Sequence, residues 1–168
     1  TMGPAQAEDV LREAYAMGID RAILLTDRKF AGADTLATSH ALAGALRKLE
    51  FDLLITGRQA IDGDTAQVGP QIAEHLDLPQ VSYLEHLDFD GKNTFTIKRR
   101  VENGYEMLQV DGPCVVTVLS GAYKPRYMTV NGIVGAYDKE VEFWGFEQIE
   151  VAESKLGLKG SPDRKSVV

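Results

Sequence analysis

Residues 56–71, TGRQAIDGDTAQVGPQ, follow the short apolar run Leu53-Leu54-Ile55 with a glycine, two carboxylates and a helix-like start. This spacing suits anion binding by backbone rather than by side chains. Gly57 and Gly63 accept backbone shapes that other residues resist. Asp64, with Gln67 three residues later, fits a capping-box spacing, which predicts Thr65, Ala66 and Gln67 in a first helical turn. The free N–H groups of such a turn, with the helix dipole, make a site for phosphate or pyrophosphate. Pro70 lies just past that turn, so either it kinks the helix or the regular helix begins there. Two other readings stay open. The segment can be a capped helix after a strand and nothing more, or Asp62 and Asp64 can be oxygen donors to a hard cation.

Other chemistry-bearing residues form no constellation. The G-x-G-x-x-G and Walker A patterns are absent. His40, His75 and His86 are isolated, without zinc spacing or a Ser-His-Asp arrangement. Cys114 is the single cysteine, which excludes an internal disulfide, and it opens an apolar run as a core residue does. Lys98-Arg99-Arg100 reads as a solvated strand end or as an ion-pair patch for a partner subunit.

The elements that must position the loop alternate in type. "RAILLTD" (21–27) and "FDLLITG" (51–57) read as buried strands. "DTLATSHALAGALRKL" (34–49) reads as a helix capped by Asp34, with Leu42, Ala43, Leu46 and Leu49 on one face. Apolar strands separated by helices mean a parallel sheet covered on both faces. Ligands sit beyond the carboxyl ends of such strands, which is where the loop after Gly57 lies. The rhythm then changes: 81–90, 93–101 and 105–110 alternate apolar and polar, with turn residues at Asp90-Gly91 and Asn103-Gly104, as in an antiparallel meander. "CVVTVLS" (114–120) returns to a buried strand. Beyond "GAYKPRY" periodicity fades, and the tail from Val141 reads as an extended arm. At the other end, "TMGPAQAEDVLREAYAMG" reads as the end of a strand, a turn and a helix closed by Gly18. The expectation is a piece of a longer chain, lacking its first strand.

Composition narrows the class. The 168 residues suffice for a real core, and a net charge of −7 argues against nucleic acid or acidic membranes as general partners. No apolar run approaches the length of a membrane span, and a cytoplasmic location, or an organelle matrix after import, is expected.

"GRQAIDGDTAQVGPQIAEHLDLPQ" closely resembles the signature of electron transfer flavoprotein beta subunits. The stretches "TMGPAQAEDVLREAYAMGIDRAILLTD" and "YKPRYMTVNGIV" resemble the same family, in the same order. The resemblance implies a Rossmann-like, adenine nucleotide alpha hydrolase-like α/β domain over 1–140 with an antiparallel edge meander. A C-terminal arm (141–168) would pack on an alpha subunit. It also implies an adenine-nucleotide pocket built from the turn at Met2, Gly3 and Pro4 and from the loop Gly57, Arg58, Gln59, Ala60, Ile61, Asp62, Gly63, Asp64, Thr65, Ala66, Gln67 and Val68. The occupant would be FAD or AMP.

"DRKFAGADTLATS" (27–39) resembles the electron-bifurcating members, in which the nucleotide is FAD. Asp34, Thr35 and Thr38 would then face its isoalloxazine. NADH would be the donor, and the acceptors would be ferredoxin or flavodoxin and an acyl-CoA dehydrogenase-type enzyme. Ala122, Tyr123, Lys124, Pro125, Arg126 and Tyr127 match the family's partner-recognition loop. The stretch "GAYDKEVE" (135–142) departs from the lysine-rich mitochondrial type and fits a dedicated partner. A conventional carrier with structural AMP is the alternative, and a stand-alone adenine-nucleotide sensor or hydrolase is one of another class. The subunit is not expected to be catalytic alone.

Overall fold

The computed structural model describes residues 1–61 and 63–163. The chain divides into two units, one of residues 1–45 with the chain from 125 onward, the other of residues 46–124.

In the first unit, helix α1 (Glu8–Ala16) turns Leu11, Tyr15 and Ala16 inward. Strand β1 (Ala22–Leu25) is nearly all buried, which explains its lack of alternation. β1 pairs in parallel with β7 (Val141–Trp144), Ala22 opposite Val141 and Leu25 opposite Trp144. The tail read as an extended arm from Val141 therefore begins as a strand of this unit. Tyr15 fastens the three elements: its hydroxyl donates to the Glu140 carbonyl (2.6 Å) and accepts from the Ala22 amide (2.9 Å). Helix α2 (Thr35–Leu46) buries Ala37, Ala41, Ala43 and Ala45 and stops before Leu49, shorter than its pattern predicts. Asp34 caps it as expected, accepting from the Ala37 amide at 2.9 Å. Helix α4 (Val130–Ala136) has no counterpart in the sequence reading; Thr129 caps it by accepting from the Gly132 amide.

The second unit holds a five-stranded sheet in the order β2-β6-β3-β4-β5. β2 (Leu53–Gly57) and β3 (Gln80–Phe89) flank β6 (Cys114–Val118) in parallel. β4 (Thr94–Val101) and β5 (Gly104–Asp111) extend the sheet as the expected antiparallel meander. The Asp90 carboxylate accepts from the amides of Lys92, Asn93 and Thr94, which closes the first turn. β6 is central and buried, with Cys114 fully inside the core beside Val81, Leu84, Phe95, Ile97 and Val116. Burial pushes its thiol pKa up, as for an inert core cysteine. The basic triplet is spent within its own sheet: Lys98 and Arg100 pair with Glu85, and Arg99 with Glu106.

Helix α3 (Val68–Leu76) packs on β6. In both units parallel strands are thus flanked by helices, the expected α/β class. The contact that sets α3 is Gly69. A Cβ there would lie 2.6 Å from Thr56 Oγ1 and 2.9 Å from Thr117 Cγ2.

Two outcomes follow from these contacts. Gly69→Ala must push α3 off the ends of β2 and β6, and should cost about 1–3 kcal/mol, read from urea midpoints of the full-length complex. Asp27 accepts from the Lys29 and Phe146 amides, which hold its carboxyl below the usual range. Its contribution is therefore complete above the unfolded carboxyl value and lost as pH falls through the folded one. The stability difference between wild type and Asp27→Asn should be present at about pH 6 and shrink as pH drops below about 4.

Candidate functional site

The carboxyl ends of β2 and β6 lie at one edge of the second unit, level with Leu84 of β3, and the loop after Gly57 leaves from that edge. Its residues from Gly57 to Ile61 and from Gly63 to Thr65 are exposed, Gln67 is exposed, and Ala66 and Val68 are half-buried. Asp62 lies outside the described residues, and the cation reading that paired it with Asp64 lies there with it. Among the described residues no group of three or more His, Cys, Asp or Glu is placed to hold a metal ion.

The expected cap at Asp64 is not formed. Asp64 and Ala66 have left-handed backbones (φ 49° and 53°), and α3 begins only at Val68, after Gln67, which makes no side-chain cap. Thr65, Ala66 and Gln67 are thus outside the helix. Pro70 is the reason. In a helix begun at Thr65 it would stand in the interior, lacking its N–H and meeting the carbonyl four residues back. As the third residue of α3 it needs no partner. Gly69 before it has no Cβ to clash with the proline ring. The first helical bond runs from the Gln71 amide to the Gln67 carbonyl, so the amides of Val68 and Gly69 have no acceptor inside the helix. An anion can still be met by backbone N–H groups, but later in the chain than the spacing suggested. The Asp64 carboxylate accepts from Gln59 Nε2 and its amide donates to the Ala60 carbonyl, which folds the loop on itself.

Arg58 is the one cation between Gly57 and Val68. Its guanidinium lies over the Tyr83 ring, 5.5 Å from the centroid. Tyr83 sits at an irregularity of β3 with φ 66°, a rare backbone for a bulky residue. Its amide donates to the buried hydroxyl of Thr117 at 3.1 Å. Below this edge an apolar groove of about 430 Å³ is lined by Leu53, Ile55, Leu84, Val116 and Tyr123 among others.

The remaining sequence-predicted residues belong to the first unit. Met2 bridges to Leu25 in parallel and Gly3 donates to the Leu25 carbonyl at 3.0 Å. Asp34 has both oxygens engaged: Oδ1 by the Ala37 amide, Oδ2 by the Asp163 amide at 3.1 Å. Thr35 opens α2 and Thr38, half-buried, donates its amide to the Asp34 carbonyl.

The partner loop divides at the boundary between the units. The Ala122 amide donates to the Leu119 carbonyl. Tyr123 accepts from the Leu87 amide at 2.8 Å and stacks on His86. Lys124 and Pro125 are exposed, Arg126 lies against Gly18, and Tyr127 is almost wholly exposed. Sequence reading missed what comes next. α4 presents Val130 (78% exposed), Val134 (65%) and Tyr137 (75%) to the outside, with Ile133 at 44%. Apolar residues exposed on one helix are the mark of a docking face, and spacing at 130, 133, 134 and 137 would have signalled it.

Residues 1–147 match the electron transfer flavoprotein domain family. The chain is 54% identical over 164 residues to an electron transfer flavoprotein subunit beta of Clostridium acetobutylicum, covering 98% of this chain and 63% of that protein. It is 48% identical to the CarD subunit of a caffeyl-CoA reductase–Etf complex of Acetobacterium woodii (96% and 62% covered). It is 46% identical to the electron transfer subunit gamma of an acryloyl-CoA reductase of Anaerotignum propionicum (96% and 63%). The chain thus spans less than two thirds of the length of these curated relatives. Among the described residues no helix is long and apolar enough to cross a membrane. The chain belongs to the electron transfer flavoprotein family.

Proposed function

We propose that the chain is part of the beta subunit of a heterodimeric electron transfer flavoprotein of the bifurcating kind, working in the cytoplasm. The observation that carries the reading is its likeness, over almost its whole length, to electron-transfer subunits of two CoA-ester reductases. The loop fits an adenine nucleotide. It is exposed at the carboxyl edge of parallel strands, offers the Val68 and Gly69 amides to a phosphate, and carries Arg58. FAD bound there supplies the redox chemistry that takes electrons from NADH and divides them between ferredoxin or flavodoxin and an acyl-CoA dehydrogenase-type partner. The chain's own residues bind and orient. Arg58 and the helix-end amides meet phosphate. Asp34, Thr35 and Thr38 face the flavin ring. The arm beyond Val141 packs on the alpha subunit.

One observation favours AMP instead. Both Asp34 oxygens already accept backbone amides, which is what a helix cap with no flavin duty requires. The nucleotide would then be structural and the complex a conventional carrier.

The deciding measurement counts FAD and AMP in the complex of the full-length subunit with its alpha partner, then titrates it anaerobically with NADH. Two FAD per heterodimer with direct reduction by NADH is the expected result. One FAD, one AMP and no reaction with NADH would establish the conventional carrier. α4 presents the docking face for the dehydrogenase-type partner. Val130→Glu with Val134→Glu should lower kcat/KM for that partner about tenfold or more, with nucleotide content unchanged.

A further inference from the structure

Four residues make one connected structure at the carboxyl edge of the second unit. Thr117 is 3% exposed, and its methyl lies where a side chain at position 69 would stand. Its hydroxyl takes the Tyr83 amide. Tyr83 is thereby held at φ 66°, a conformation strained for any residue with a Cβ. The bend keeps the Tyr83 ring at the surface, 40% exposed, rather than inside the core. On that ring rests Arg58. Loop charge explains why a cation needs a fixed seat here. In sequence, residues 57–68 carry two carboxylates and one cation, Arg58. A phosphate arriving at the Val68 and Gly69 amides is opposed by the Asp64 carboxylate, and Arg58 seated toward the strand ends offsets that repulsion. A long, exposed arginine left to itself samples many rotamers, and fixing it on binding weakens affinity.

We propose that Tyr83 is a positioning residue for the nucleotide phosphate: its ring, fixed by the Thr117 hydroxyl, holds Arg58 as the cation that receives an adenine nucleotide's phosphate. This rests on the adenine-nucleotide reading of the loop. Tyr83 acts through Arg58 and not through the base. Its ring therefore matters to a nucleotide and not to a nucleoside.

The test uses the full-length subunit in complex with its alpha partner, freed of nucleotide and titrated with AMP and with adenosine by calorimetry. Tyr83→Leu keeps the apolar bulk and removes the π face. It should weaken AMP about three- to fivefold, the strength of an exposed cation–π contact, and leave adenosine within about twofold. Tyr83→Phe should bind both as the wild type does. Arg58→Gln should weaken AMP about tenfold or more, and adding Tyr83→Leu to it should cost nothing further. Equal loss of AMP and adenosine in Tyr83→Leu, or loss of neither, overturns the proposal. So does Arg58→Gln with unchanged AMP affinity, which decides the matter if Tyr83→Leu does not fold. A wild-type complex that binds neither AMP nor FAD overturns the nucleotide reading itself, and this proposal with it. A wild type that binds AMP while the variants show no selectivity overturns the proposal alone.

Discussion

Position 69 has no room for a side chain, and the carboxyl edge of the parallel strands is arranged around that fact. Thr56 of β2 and Thr117 of β6 both lie within 3 Å of where a Cβ would be. Contact this close lets the first turn of α3 sit directly on the ends of two neighbouring strands, so the direction in which its amides point is fixed by the sheet. Interiors packed to this density do not yield continuously. The same threonine that touches Gly69 accepts the Tyr83 amide, so helix, central strand and neighbouring strand share one side chain. What leaves that edge, the loop after Gly57, is exposed at Gly57 to Ile61 and at Gly63 to Thr65. Its geometry is inherited from the packing beneath it.

Legibility in the sequence followed the length and regularity of each pattern. The meander was readable because β3, β4 and β5 run eight to ten residues each, long enough for alternation to show, and because Asp90-Gly91 and Asn103-Gly104 are turn chemistry. β6 was readable as a mostly apolar run broken only by Thr117, since its residues are buried along nearly its whole length. α4 was not: Gly132 and Gly135 are poor helix formers, and the helix lasts seven residues. Its stability comes from the Thr129 cap and from packing against α1, and the apolar residues spaced at 130, 133, 134 and 137 mark a face turned outward rather than one buried in a core. β7 was not readable either. Four residues span only two periods of a strand, and its pairing partner β1 lies more than a hundred residues away in sequence.

The candidate site was half legible for the same kind of reason. That a loop at the end of β2 would offer backbone amides followed from Gly57 and from the helix after it. Where the helix starts did not follow, because two local rules compete between Asp64 and Pro70. The capping spacing of Asp64 and Gln67 argues for an early start. Pro70 forbids one, and an interior proline costs about 3 kcal/mol against about 1 kcal/mol for a cap. The proline therefore decides, and Asp64 is released into a left-handed turn. The Tyr83 bend could not be read at all, since it depends on Thr117, thirty-four residues on, reaching across the sheet.

Among the described residues of the loop, Asp64 and Ala66 hold left-handed backbones without being glycines. Glycine at 66 would adopt that backbone freely, but it would also give the loop more conformations to lose when an anion binds. Alanine reverses the balance. Its strain, about 1 kcal/mol, falls on folding, and the number of loop states left open afterward is smaller. Gln59 and the Ala60 carbonyl, both held by Asp64, restrict the loop in the same direction. Tyr83 repeats the device outside the loop, a side chain kept in a costly backbone where glycine would be easy. Restraint of this kind at Gln59, Asp64, Ala66 and Tyr83 leaves these residues less freedom to lose in any contact they make, so the strength of such a contact depends on geometry more than on the number of atoms that meet.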